Sequence, residues 1–279
     1  MAIRILVAIA LLASNAESLK VTVMGGTGFV GSRVVKSLVE QGASVTSVSA
    51  SGMAPSDSWA QSVEWQKCDL TRGPREQLAK AIGSPDVVVS CVGAIGFDRQ
   101  GLLLGNGVAN VEAARAAKVA GAKRFVYVSV SDDVTASRDW LPDFFAGYFD
   151  GKKDAEDAIL EANFDDGATF VRPSFIYGGD SFGLFPPRVN GAYGSAVEEI
   201  LSSAPIVALA NVLPGLLKVA LRPPVSVEAV AGAAASAAQG KVGAAVLEGT
   251  TAINDAAGME SAKGLTEFIE KIKTRLASE

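Results

Sequence analysis

Gly25-Gly26-Thr27-Gly28-Phe29-Val30-Gly31 decides how the first half of this chain is read. A β-rich run, Leu19-Lys-Val-Thr-Val-Met24, leads into it, and Phe29 to Glu40 follows with helical spacing. Gly25, Gly28 and Gly31 thus form G-x-x-G-x-x-G between a predicted strand and a predicted helix. The mechanics call for glycine: a tight turn needs positive φ, a ligand must approach the backbone closely, and the helix must sit near the sheet. A diphosphate then rests on the helix N-terminus, where free N–H groups and the helix dipole favour anions. Gly25, Thr27, Gly28, Phe29, Val30 and Gly31 are therefore candidates for holding a dinucleotide. The flanking strand and helix give an otherwise weak glycine motif its weight.

Outward from this turn, strand and helix patterns alternate to about Arg172. Strand-like runs cover Ser44 to Ser49, Val63 to Lys67 and Asp86 to Cys91, with a helix near Arg75 to Ile82. A long helix fits Leu102 to Ala120 with Gly121 as its C-cap, and Arg124 to Val130 reads as the fifth strand. A helix from about Gly151 to Ala162 leads to a strand at Ala168 to Arg172. This order predicts an α/β fold of the Rossmann type, a doubly wound parallel sheet with right-handed crossovers. Residues 17–178 form the nucleotide-binding domain on this reading. Residues 179–279 form a small C-terminal substrate-side region that partly completes the same domain.

Past Pro173 the pattern loosens. Ile206 to Leu221 is almost continuously apolar, but Pro214-Gly215 interrupts it and Lys218 adds a charge, which argues against a transmembrane helix. A buried helix pair beside the active site and a surface for an apolar, lipid-like or quinone-like molecule are the readings that remain. Helix-like Val227 to Ala238, strand-like Ala244 to Glu248 and a charged helix from about Leu265 to Leu276 complete the chain.

Composition narrows the chemistry. The 279 residues are 49% apolar and 20% charged, and the net charge of −5 comes without a basic patch, which argues against nucleic acid. Histidine is absent, which removes the commonest general base and the commonest zinc ligand, and no metal site is expected. Cys68 and Cys91 make no CxxC and read as small buried residues. Arg4, the apolar Ile5 to Ala13 and Ser14-Asn15-Ala16 resemble a targeting segment over residues 1–16, the alternative being an extra packed element. Export fits poorly with dinucleotide dependence and with the lack of any Asn-x-Ser/Thr site. An organelle reconciles these facts: a plastid reached through the secretory route, with mitochondrion and ER lumen as alternatives.

Cofactor preference is set just after the second strand, where a carboxylate binds the ribose of NAD and an Arg favours NADP. Ser49-Ala50-Ser51-Gly52 offers neither, but Ser49 and Ser51 can accommodate a phosphate that no carboxylate repels. The preference is therefore NADP over NAD. Asp69 lies where it reaches the adenine amino group or serves as a cap or turn residue. Tyr148-Phe-Asp-Gly-Lys152 puts Tyr and Lys on one helix face. There the ammonium would lower the tyrosine pKa, and the phenol would exchange a proton with a substrate oxygen while the cofactor moves hydride. A serine at the exit of the fifth strand would orient the carbonyl; Ser129 and Ser131 both qualify.

The ordered set Gly25 to Gly31, Asp69-Leu70, Cys91-Val-Gly93, Tyr-Val-Ser129, Tyr148-xxx-Lys152 and Arg172-Pro-Ser-Phe-Ile-Tyr-Gly178 resembles the short-chain dehydrogenase/reductase superfamily, in its extended and atypical branch, over about residues 19–250. The stretch ending at Ser51 and Pro-Pro-Val-Ser-Val-Glu228 are similar to a narrower group. It includes the nucleotide-binding accessory subunit of respiratory complex I, a protein of coenzyme Q biosynthesis and plant plastid homologues. The resemblance implies that Gly25, Gly28 and Gly31 hold the pyrophosphate, Asp69 and Leu70 the adenine side and Gly93 the ribose. It also implies Lys152 at the nicotinamide ribose and the Pro173-Ser174 backbone at the nicotinamide. Members of the narrower group often carry Arg where this chain has Ala50, and several bind the nucleotide without turning it over. Two functions follow as expectations. One is an oxidoreductase, epimerase or dehydratase acting on a carbonyl or alcohol, with a quinone- or isoprenoid-like molecule as substrate. The other is a non-catalytic subunit that senses redox state or aids assembly, at a membrane surface or in a larger complex.

Overall fold

A computed structural model describes residues 18–72, 75–180, 183–184 and 187–263, with positions 266, 270, 273 and 274 beyond them. The proposed targeting segment and most of the expected helix from Leu265 to Leu276 lie outside the described residues.

The central sheet is parallel and seven-stranded. Its strands are β1 (Lys20–Met24), β2 (Ser44–Ser49), β3 (Glu64–Lys67), β4 (Val87–Ser90), β5 (Arg124–Val128), β6 (Ala168–Arg172) and, far along the chain, β11 (Val246–Glu248). The order is β3-β2-β1-β4-β5-β6-β11, so the winding reverses between β1 and β4. Crevices for ligands open at the carboxyl ends of strands at such a switch point. β4, VVVS, is fully buried and β1, KVTVM, is buried over all but Lys20, as strands covered on both faces must be. Two short ladders lie outside the sheet: β7 (Ile176–Tyr177) with β10 (Val225–Ser226), and the antiparallel β8 (Gly183–Leu184) with β9 (Pro187–Arg188).

Helices cover both faces: α1 (Gly31–Glu40), α2 (Arg75–Ile82), α3 (Arg99–Leu103), α4 (Ala109–Val119), α5 (Asp132–Ala136) and α6 (Ala146–Ala162) in the first half. One core layer holds Val34, Val35 and Leu38 of α1 with Val21, Val23, Val126 and Val171 of the sheet. The other holds Ala113, Ala114 and Ala117 of α4 with Met24, Phe125, Tyr127 and Ile159. The long helix expected over Leu102 to Ala120 begins earlier and contains a π-turn at Leu104–Val108, the kind of irregularity that accompanies function. Helix α6 starts at Ala146, five residues before the expected Gly151, so Tyr148 and Lys152 both lie within it.

The C-terminal region adds α7 (Gly191–Leu201), α8 (Ala204–Val212), α9 (Gly215–Ala220), α10 (Val227–Ala238) and α11 (Gly249–Ala257). Helix α10, VEAVAGAAASAA, buries nine residues against the sheet, because small side chains let the backbones approach. Buried Glu198 of α7 accepts hydrogen bonds from Tyr177 Oη (2.8 Å), Asn254 Nδ2 (3.0 Å) and the Ala262 N–H (3.1 Å), satisfying a buried carboxylate with donors from three segments. The apolar stretch from Ile206 to Leu221 forms a helix pair, α8 and α9, but the pair is not buried. Only Ala210 of α8 is inaccessible, and Leu209, Val212 and Leu217 face solvent. Ion pairs from Lys218 and Arg222 to Asp133 hold α9 against α5 at the surface. Among the described residues no single helix is long and apolar enough to cross a membrane; α7 and α8 together are bent by 76°.

Candidate functional site

The glycine turn closes with Gly28 N–H donating to the Gly25 carbonyl (2.9 Å), and Gly25 N–H donates to Val48 (2.7 Å), which ties the turn to β2. Gly25 has φ +78°, a conformation that excludes larger residues there. Gly31 is required for another reason, since a Cβ on it would collide with the Gly25 carbonyl oxygen. Gly28 is open: a Cβ on it would meet only that oxygen, at 3.1 Å. Among the described residues no side chain caps α1 at its N-terminus. A cavity of about 250 Å³ lies there, lined by Thr27, Gly28, Phe29, Ser32, Arg33 and the Gly178–Asp180 loop. Val30 instead packs against the core. Arg33, which sequence reasoning missed, is held by the Phe29 carbonyl (2.8 Å) and by Glu228 (3.0 Å). The cradle fits a diphosphate, offering bare backbone, a helix N-terminus and a guanidinium.

At the end of β2, Ser49 is buried and its hydroxyl oxygen accepts from Gly52 N–H (3.0 Å), while Ser51 is exposed. Asp69 accepts from the Thr71 N–H (2.9 Å) and hydroxyl (2.7 Å), which holds its carboxyl below the usual range and makes it a turn residue with one oxygen committed. Leu70 leans on the core layer of Met24 and Phe125 rather than standing in the crevice.

At the carboxyl ends of β4 and β5 the catalytic candidates converge. Lys152 is 6% exposed and donates to the Val128 carbonyl (2.9 Å). Its ammonium lies 4.7 Å from the Tyr127 ring centroid, 5.9 Å from that of Tyr148, and 3.9 Å from where a side chain on Gly93 would begin. Burial pushes it down to about 8, against the opposing charges of Glu156 and Cys91. The Tyr148 phenol is pushed up to about 12 by burial, the reverse of the lowering expected from a neighbouring lysine. The ammonium, 5.9 Å from the ring centroid, does not offset this, and desolvation dominates. The two serines differ. Ser131 caps α5, accepting from Val134 N–H at 3.4 Å, whereas the Ser129 hydroxyl is buried without a partner among the described residues. Cys91 is half-buried beside this group, its thiol pushed up to about 12 by burial. Pro173 is buried, its carbonyl accepting from Ser131 N–H (3.0 Å), and the Ser174 hydroxyl donates to Pro223 (3.0 Å), leaving the Ser174 side chain structural.

Asn106 and Asn110 are further residues the sequence did not single out. Asn106, in the π-turn, exchanges hydrogen bonds with the N–H (3.2 Å) and carbonyl (3.0 Å) of Ala94. Asn110 accepts from the Ser90 hydroxyl (2.5 Å) and donates to Val92 (3.3 Å), so the pair fixes the loop carrying Gly93. Two asparagines four apart on an apolar helix face were the available signal. Ile95 and Phe97, on the segment that follows β4, and Trp140, on the segment that follows β5, are exposed, and Phe97 and Phe144 lie edge to face at 5.3 Å.

Lys152 has a thermodynamic signature. Between its folded value near 8 and its ordinary 10.5, the unfolded chain carries a proton the folded one lacks, so stability rises with pH there. Cys91 and Tyr148, pushed up from 9.0 and 10.0, keep protons when folded, so Cys91 cancels the rise above about pH 9 and Tyr148 turns it into a fall above about pH 10. The unfolding free energy should therefore climb by about 1 kcal/mol from about pH 7.5 to about pH 9, level off, and fall above about pH 10. Urea melts across this range check it, and a Lys152→Met chain should lose the climb.

The sequence matches the family described as NAD(P)H-binding over residues 25–186. An Arabidopsis thaliana protein, "Uncharacterized protein At1g32220, chloroplastic", is 37% identical over 168 residues, covering 59% of this chain and 53% of that protein. The chain thus spans about half the length of the curated relative it matches. Among solved structures, the Bordetella bronchiseptica enzyme WbmH in complex with NAD+ superposes with a TM-score of 0.56 at 18% identity, over 87% of this chain and 80% of that one. UDP-galactose 4-epimerase does so with 0.55 at 18%, over 92% and 100%. These likenesses show the fold. With its Rossmann-type sheet and its glycine turn at the start of α1, the chain belongs to the NAD(P)H-binding family.

Proposed function

We propose that the protein is an NADP-preferring oxidoreductase of the short-chain dehydrogenase/reductase type that reduces a carbonyl on an apolar, quinone- or isoprenoid-like molecule. The observation that carries this reading is the convergence of Lys152, Tyr148 and the unpartnered Ser129 hydroxyl at the carboxyl end of β5, beside Gly93. The dinucleotide supplies hydride when bound. Ser129 donates a hydrogen bond to the substrate oxygen, and Tyr148 Oη delivers a proton to it. A phenol holds its proton at neutral pH and can donate it to the carbonyl oxygen as the hydride arrives at carbon. Lys152 binds the nicotinamide-side ribose and orients Tyr148. The Pro173-Ser174 backbone borders the nicotinamide, and Gly25, Gly28 and Gly31 cradle the diphosphate.

The substrate class rests on apolar side chains carried by the segments that follow the carboxyl ends of β4 and β5: Ile95, Phe97 and Trp140 are each at least 60% exposed, and α9, with exposed Leu217, begins beside Trp140, which favours apolar ligands over sugars. The plastid assignment draws on the chloroplastic relative and on the segment over residues 1–16. A second reading, a non-catalytic nucleotide-binding subunit of an organellar complex, is favoured by Ala50 in place of an arginine anchor.

Titrating residues 17–279 with NADPH and NADH, followed by nicotinamide fluorescence, tests both readings. Micromolar NADPH binding, weaker NADH binding and NADPH consumption with a prenylated quinone are expected. Binding without turnover across quinones and isoprenoid aldehydes would favour the subunit, and no binding would remove both.

A further inference from the structure

The end of β2 lacks the cation that a 2′-phosphate requires, yet one stands beside it on the neighbouring strand. Parallel pairing of β2 with β3 puts Lys67 opposite Ser49. Residues paired in this way point to the same face. That is the face of Ser47, whose hydroxyl a Cβ on Gly26 would strike, and hence the face of the glycine turn. The loop after β2 folds down over this lysine: Gly52 has φ +63°, and a Cβ on it would lie 2.7 Å from Lys67 Cβ. Ser49, Ser51 and Lys67 are thereby gathered at one corner of the sheet.

Lys67 is exposed, and among the described residues no carboxylate pairs with it. The nearby acids are otherwise engaged. Glu64 stands on the opposite face with Thr46 and Gln66, and Asp69 is held by Thr71. An unpaired ammonium on an edge strand, one residue pair from two hydroxyls, has the chemistry of a phosphomonoester site.

We infer that Lys67 is the residue that selects NADP, its ammonium pairing with the 2′-phosphate while Ser49 and Ser51 donate hydroxyls. Selectivity comes across the strand pair, replacing the arginine that position 50 lacks. This rests on the proposed reading of the crevice as an NADP site.

The test is fluorescence titration of the wild-type chain and of Lys67→Met with NADPH and NADH, with circular dichroism to verify folding. Methionine keeps the Cβ and stem that the Gly52 loop covers. Lys67→Met should weaken NADPH at least tenfold and change NADH less than twofold, and raising salt should narrow the wild-type preference towards the variant's. An unchanged NADPH-to-NADH ratio in Lys67→Met, against a wild type that prefers NADPH, overturns the Lys67 assignment alone. A wild type that binds both alike overturns it together with the NADP preference, and one that binds neither overturns the reading of the crevice. If Lys67→Met loses fold, Lys67→Gln supplies the same comparison.

Discussion

Valine at position 28 should weaken dinucleotide binding at least a hundredfold while the melting temperature moves by only a few degrees. Gly28 is exposed and its φ lies outside the left-handed region, and a Cβ meets only the Gly25 carbonyl oxygen, at 3.1 Å. The fold therefore accepts a side chain there with mild strain. The two added methyl groups instead fill the space over the start of α1, where bare backbone meets the cavity of about 250 Å³. A diphosphate held by N–H groups cannot approach through them. Gly31→Ala is the counterpart and should fail differently. Its Cβ is driven against the backbone of Gly25 and Gly26, so α1 must separate from β1 and stability falls by about 2 kcal/mol or more. Titration with NADPH alongside thermal melts separates the two. Wild-type affinity in Gly28→Val would show that the phosphates rest elsewhere.

Tyr148→Phe should lower turnover about 10²- to 10⁴-fold, the usual worth of positioned acid–base help, and leave the Kd for NADPH within twofold. The substitution removes one oxygen. The ring still packs edge to face on Phe149 at 5.3 Å and still lies 5.9 Å from the Lys152 ammonium. A structural role would thus be preserved and a chemical one lost. Steady-state rates with the quinone found by screening, set beside nicotinamide fluorescence, make the measurement. Unchanged turnover would take Tyr148 out of the mechanism, and a proportional loss of binding would make it a cofactor contact.

Much of this was legible in the sequence because it depends on local chemistry. The glycine spacing, the alternation of short apolar strands with helices, and the four-residue spacing of Tyr148 and Lys152 each follow from backbone geometry. What stayed hidden depends on environment and long-range register. The direction of the Tyr148 shift could not be read from Y-x-x-x-K, because burial of the phenol outweighs the effect of Lys152. Ser129 and Ser131 were indistinguishable until α5 began at Asp132 and took Ser131 as its cap. Asn106 and Asn110 looked like ordinary helix residues, although they hold the Gly93 loop. The apolar stretch from Ile206 to Leu221 left a buried pair and a surface both open, because composition does not show that Lys218 and Arg222 tie it to Asp133 at the surface.

The strand order has a consequence for the order in which the molecule can be made. β6 lies inside the finished sheet, but its outer neighbour, β11, is drawn from Val246–Glu248, about seventy-five residues later. Helix α10, which closes one core layer, also comes late, at Val227–Ala238. A ribosome that has released the glycine turn and all six preceding sheet strands has therefore made an open-edged intermediate. At about 5–20 residues per second, that edge waits several seconds for its partner. Until it arrives, the outer edge of β6 presents unpaired backbone N–H and carbonyl groups.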